Sequence, residues 1–305
     1  MSPRNRGFVL VNALVLVAAL AGIAVLLLGR AEGARARLAE TQGAAQIGLY
    51  LDAFEALAVT LLAADRAGGA ADHLREPWAR AEYDVPLDRG RVAGSIRDLQ
   101  GRFNINWLAN VNSPRTWESF HLLLQRLALP SSLGDEIAGF LSPDGPVNTA
   151  PYARQNPAIR PVGGPVLLLD QLRGIPALQP RDFDRLQPFL AALPGESTLN
   201  VNTAPAEVLQ VMIPGLATAV TDRLVQSRTL APFVSMEDFV DRMVGFGATS
   251  GLSEEDLPRF GVGSRWFGAE IAATLEGRER HRTTVFERLP LPGGVRVAYR
   301  LDQVP

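Results

Sequence analysis

Few side chains in this sequence are equipped to make or break bonds, and they are scattered. There is no Cys, and the three His stand at 73, 121 and 281. That excludes a thiolate nucleophile, a Cys-ligated zinc and a disulfide framework. It also excludes a pair of imidazoles at the spacing that puts two metal ligands on one helix face. No nucleophile elbow, phosphate-cradling glycine loop or dinucleotide fingerprint occurs, so the expectation is a protein without enzymatic activity. Three patterns remain. Phe103-Asn-Ile-Asn106 and Leu199-Asn-Val-Asn202 carry amides that can bond the backbone two residues on and close an extended segment into a turn; they read as caps. At Arg6-Gly7-Phe8 a small residue opens the backbone to a peptidase where a basic leader meets an apolar run.

That run must become a helix. Phe8 to Leu28 contains one polar side chain, Asn12, and at about 1.5 Å per residue it is long enough to cross a hydrocarbon core of about 30 Å. Arg4 and Arg6 precede it with no acidic residue, which places the N-terminus in the cytoplasm and the rest of the chain across the membrane. Beyond it, Ile47, Tyr50, Leu51, Phe54, Ala58, Leu61 and Leu62 recur at three- and four-residue spacing, with Asp52, Glu55 and Asp65 off that face. The spacing predicts one helix over 8–67, stopped by Gly68-Gly69 and about 90 Å long.

Alternation at Val92, Gly94 and Ile96, and again from Phe267 to Leu275, predicts strands, and the stretches around Pro292-Gly293-Gly294 predict a hairpin. Between these ends lies a Pro-rich helical stretch with helix-start signals at Ser113, Ser132, Ser235 and Ser253. The expected organisation is α+β: a leader (1–7), the long helix (8–67, of which 8–28 is transmembrane), a head (68–110 and 260–305) with an antiparallel sheet, and an inserted all-α domain (111–259). Two related units, about 103–141 and 199–228, share the Asn-x-Asn signature.

Met1–Gly7 followed by Phe8-Val-Leu-Val resembles the leader of type IV prepilins and pseudopilins. The resemblance implies cleavage between Gly7 and Phe8 and N-methylation of Phe8. Most such proteins carry Glu where this chain has Asn12, which points to a subunit at a filament end, with Asn12 and Val15 in the stripe that packs in the membrane and filament. Residues 199–228 resemble the helix-hairpin-helix module of membrane-anchored DNA receptors, which gives the alternative reading. The hairpin Pro214-Gly215-Leu216-Ala217 lacks the module's second glycine, however. From Ser197 to Ser250, Arg223, Arg228 and Arg242 face Glu207, Asp222, Glu237, Asp238 and Asp241, a field that repels phosphate, as does the formal net charge of -2. No nucleic-acid partner is expected.

Taken in order, Asp98–Asn106, Arg160–Arg173, Pro188–Pro194 and Leu199–Pro205 resemble the protein K family of type II secretion systems, the large minor pseudopilins. The resemblance implies a pilin-like head with a helix-hairpin-helix or SAM-like insertion, anchored once in the bacterial inner membrane with its head in the periplasm. It implies a place at the pseudopilus tip, capping and initiating the filament for protein secretion. The implied partners are the I- and J-type minor pseudopilins, the major pseudopilin, the inner-membrane assembly platform and the prepilin peptidase. It also implies Ca2+ in the helical domain. At that place this chain reads Gly139-Phe-Leu-Ser142-Pro-Asp144-Gly, then Val147-Asn148-Thr149 before Tyr152. Only Asp144 remains as an acid, where calcium takes six to eight oxygens, so the acidic ligands are largely missing.

Overall fold

The computed structural model describes residues 4–65, 69–110, 113–161, 163–249, 252–290 and 292–303. Met1–Pro3 of the leader and the expected end of the long helix at 66–68 lie outside the described residues. Helix α1 runs unbroken over Arg4–Asp65. The chain then forms β1 (Tyr83–Leu87) and β2 (Gly90–Asp98) and leaves on a long excursion. The excursion holds the two-residue strands β3 (Phe103–Asn104), β4 (Leu190–Ala191), β5 (Leu199–Asn200) and β6 (Phe260–Gly261). The chain returns as β7 (Trp266–Leu275), β8 (Arg278–Arg288) and β9 (Val295–Gln303). The five long strands make an antiparallel sheet in the order β1-β2-β7-β8-β9.

The C-terminal half of α1 is built into this sheet. Ile47, Leu51, Phe54, Ala58 and Leu62 are at most 2% exposed and pack with Val92, Ile96 and the inward face of β7, Phe267 to Leu275. Each large apolar side chain so covered contributes about 1.5–3 kcal/mol. The close approach requires Gly94, where a Cβ would lie 2.8 Å from the Phe54 ring. Polar residues expected off the apolar face are drawn in as well: Glu55 is 3% exposed and the Asp65 carboxylate 8%. This corrects the helical-wheel reading, and its cause is a set of arginines and a threonine on β8 and β9. Arg278 reaches the Glu40 carbonyl, Arg282 reaches Asp52 and Glu55, and Arg288 reaches Asp65. The contacts climb in step, so β8 runs alongside α1 from the end nearest the apolar helix tip to the far end.

The excursion therefore leaves and re-enters at the far end, where β2 finishes and β7 begins. It departs after Asp98 and returns at Trp266, earlier and later than the expected 110 and 260, because Phe103–Asn104 pairs with β4 and Phe260–Gly261 with β5 rather than with the main sheet. Its helices are α2 (Pro114–Arg126), α3 (Ser132–Leu141), α4 (Ala150–Ala153), α5 (Pro180–Leu186), α6 (Ala206–Met212), α7 (Thr218–Leu230) and α8 (Met236–Gly245). They share a core of their own, including Phe103, Phe120, Phe140, Phe183, Phe233 and Phe239, separate from that of the sheet. The start signals act at Ser113 and Ser235, which directly precede helices, the latter accepting from the Asp238 N–H at 3.2 Å. Ser132 is the first residue of α3 and Ser131 precedes it, while Ser253 opens a turn.

Candidate functional site

Among the described residues one helix is long and apolar enough to cross a membrane. From Leu10 to Leu28 nothing among the described residues covers α1: Val15 is 61% exposed, and Asn12 lies exposed in the same stretch. The Gly7–Phe8 bond falls within the helix; the side chains of residues 4–9 lie outside the described part. An uncovered apolar run of this length is unfavourable in water and calls for an apolar environment, a bilayer or the apolar faces of other helices.

The same helix is ion-locked to the sheet. Glu55 accepts from Arg300 Nε and Nη2 at 2.8 and 2.6 Å, from Thr284 Oγ1 at 2.6 Å and from Arg282 at 3.3 Å. Arg282 also bonds Asp52 and Asp302, both at 2.6 Å. A carboxylate buried this deeply is tolerable only when paired and hydrogen-bonded on both oxygens, and here it is. The helix is thereby tied to β8 and β9.

Each Asn-x-Asn motif clamps its own helical unit. The first amide of each pair accepts from the N–H two residues on, at 3.1 Å for Asn104 and 3.0 Å for Asn200. The second makes a two-way amide bond to a distant backbone: Asn106 with Val166 (2.8 and 2.8 Å), Asn202 with Phe233 (2.9 and 2.8 Å). Each unit then closes with a parallel strand pair. Caps are thus what these residues are. The units differ in spacing, with 60 residues from Asn106 to its partner and 31 from Asn202 to its own. The extra chain in the first unit carries the Asp144 loop.

The second motif also fastens the excursion to the head. Asn200 donates to the Asp72 carbonyl, Asp98 and Ser264 at 3.1, 2.9 and 3.0 Å. Asp98 further accepts from Gln100 N, Thr203 and Ser264 at 2.8, 2.5 and 2.7 Å. Asp72 binds Ser264 N at 2.6 Å and Arg288 at 2.5 Å, and Arg288 in turn holds Asp65 at 3.0 Å. Burial pushes Asp98 up to about 6, against the hydrogen bonds from Thr203 and Ser264 that favour its charged form. This junction joins the end of α1, the end of β2, the end of β5, the segment just before β7 and the end of β8. Sequence reasoning missed it, since Asp98 and Asn200 had no visible partners.

The residues present do not fit a calcium site at the loop. Asp144 is exposed and donates its backbone N–H to Ser142 Oγ, while Asn148 Oδ1 accepts from Ala150 N. Tyr152 stacks on Phe140 beneath the loop with centroids 6.0 Å apart, and Gly163 N bonds the Phe140 carbonyl. Among the described residues, Asp65, Asp72 and Glu76 are the one group whose ligand atoms converge, within 4.8 Å. Arg288 already supplies the cation there. Nor does the hairpin offer a phosphate site. Gly215 takes a positive φ of 72° and Leu216 is buried. Arg228 turns inward to the Val201 and Ala204 carbonyls, both at 2.6 Å, and Arg242 is paired with Asp238 at 2.7 Å.

Two family models described as type II secretion system protein K match residues 101–195 and 199–258. A type II secretion system protein K of Pseudomonas aeruginosa is 30% identical over 233 residues, covering 71% of this chain and 67% of the relative. Another, from Klebsiella pneumoniae, is 25% identical over 264 residues, covering 79% and 81%. A chain in the crystal structure of the GspK-GspI-GspJ complex from the enterotoxigenic Escherichia coli type II secretion system superposes with a TM-score of 0.75 at 20% identity. That match covers 88% of this chain and 100% of that one.

Proposed function

The chain belongs to the protein K family of type II secretion systems, the minor pseudopilins of that machine, and on this premise we propose that it ends the pseudopilus at its membrane-distal tip. The carrying observation is the direction of the excursion. It leaves the sheet at the end farthest from the apolar tip of α1, where the next subunit of a head-to-tail filament would stack. A subunit with that end covered has neighbours below and at its sides and none above, and so starts and caps the filament.

In this reading, Phe8–Leu28 holds the subunit in the bacterial inner membrane with the head in the periplasm, prepilin peptidase cuts between Gly7 and Phe8, and Phe8 is N-methylated. The I- and J-type minor pseudopilins pack beside it, a placement supported by the GspK-GspI-GspJ likeness in fold. The major pseudopilin follows, and the assembly platform drives the stack outward. The role is structural, with no catalysis and no calcium required. Intact mass and N-terminal sequencing of the protein taken from membranes test this: an N-methylated Phe8 is expected, and a chain still starting at Met1 would overturn the proposed processing.

A further inference from the structure

Arg80, Arg97 and Arg102 line a notch of about 360 Å3 at the seam between head and excursion. It opens at the edge of β2 beyond Gly94, where β1 no longer covers the strand, and its walls include Leu74, Pro188 and Pro205. The cations are not balanced from within. Neither Arg80 nor Arg102 forms an ion pair among the described residues, and Arg97 has only a 3.5 Å contact with Glu270, both side chains being at least half exposed. Asp98 is the one carboxylate lining the notch, and its oxygens are already taken by Gln100, Asn200, Thr203 and Ser264. Burial, and then the like charge of Arg97, lower the Arg102 pKa, against a weaker pull from Glu270 and Asp98, neither of which is close enough to pair with it. A guanidinium kept part-buried without a counter-ion costs stability unless an anion arrives.

We propose that this notch is a carboxylate-binding site, filled by an acidic side chain or chain-terminal carboxylate of a neighbouring protein subunit. It rests on the proposed role as a tip subunit that packs with other pseudopilins. Each guanidinium presents planar, forked donors matched to a carboxylate, and the apolar walls fit one extended segment. Lipid headgroups are out of reach. The notch adjoins the junction that holds Asp65 through Arg288 and Asp72, roughly 55 Å of helix from Leu28. A nucleic-acid backbone needs a long basic track, and Arg228 and Arg242, which could have extended one, are engaged within the fold.

The test uses the full-length chain in detergent, as wild type, Arg102→Gln and Arg80→Gln/Arg102→Gln, co-expressed with the other minor pseudopilins of its system. Wild type is expected to co-purify with them. The double variant is expected to lose roughly tenfold to hundredfold in apparent affinity while its Tm changes little, since neither arginine has an ion-pair partner among the described residues and Arg80 gives up only its contact over the Tyr83 ring. Inorganic sulfate, used as an oxyanion probe, is expected to raise the Tm of wild type and not of the double variant. Unchanged co-purification of the double variant overturns the inference. If the sulfate response is lost while co-purification is kept, the site takes a small free anion, and the inference is overturned in that way. If wild type itself fails to co-purify, the proposed assembly role fails first.

Discussion

Asp98 satisfies four donors with two oxygens and has no ion-pair partner among the described residues, so its proton is a probe of the whole junction. Its folded value of about 6 lies above that of an unfolded Asp, near 4. The folded chain therefore binds this proton more tightly, and the associated stability is complete below about pH 4 and lost as the pH rises through about 6. Between about pH 7 and about pH 4, the contribution of Asp98 is expected to raise stability as the pH falls, by up to about 3 kcal/mol. Asp98→Asn should flatten that slope; a substituted chain as pH-dependent as wild type would sink the assignment. Asp65 and Asp72, also raised by burial, act with the same sign. At the second clamp, Asn202→Ala strands the Phe233 N–H and carbonyl, and Arg228→Met strands the Val201 and Ala204 carbonyls. Each is expected to cost about 1–3 kcal/mol, measured by urea denaturation.

At the scale of elements, α1 is two helices in one: an uncovered apolar half and a half locked into the head. Val15→Glu puts a charge into the first half, and it should abolish assembly while leaving the Tm of the head unchanged. Glu55→Ala acts on the second half, leaving Arg300 and the buried Arg282 without their shared carboxylate. A loss of about 3–5 kcal/mol is expected, read from the denaturation midpoint. These halves also mark what the sequence could reveal. The three- and four-residue spacing of Ile47 to Leu62 and the alternation of Phe267 to Leu275 are local patterns, and both elements are where those patterns put them. The burial of Glu55 was not legible, because Arg282, Thr284 and Arg300 lie 227, 229 and 245 residues away. The Asn-x-Asn turns were legible because they too are local, bonding two residues on. Their clamps on Val166 and Phe233 were not, since no local period encodes a contact across 60 or 31 residues. The notch at Arg102 was invisible too, being assembled from a linker, a strand edge and two distant prolines.

For the molecule as a whole, the loop around Asp144 and the excursion that carries it pose separable questions. With the loop seated on Tyr152 and Phe140 and its only acid exposed, millimolar calcium and EDTA should leave the Tm of the full chain the same; a clear rise at sub-millimolar calcium would contradict this reading. The excursion can be tested by removing it. Asp98 pairs with Phe267, and Leu99 N bonds the Trp266 carbonyl at 3.0 Å, so its two ends are already strand neighbours. Replacing 100–265 by a turn of about two to four residues converts β2 and β7 into a hairpin with the register unchanged. The sheet and α1 keep their own apolar core, but Asp98 and Asp72 lose Asn200 and Ser264, so the variant should fold with a lower Tm. Its apolar helix and the Gly7–Phe8 bond are intact, so the proposed processing should be as in wild type. What it lacks is the mass over the distal end of the sheet, so another subunit can stack there. Filaments assembled with it should be longer or more variable in length by electron microscopy. Filaments of unchanged length would mean that termination resides in the head or the helix, and the capping role would move there while membership of the protein K family stood.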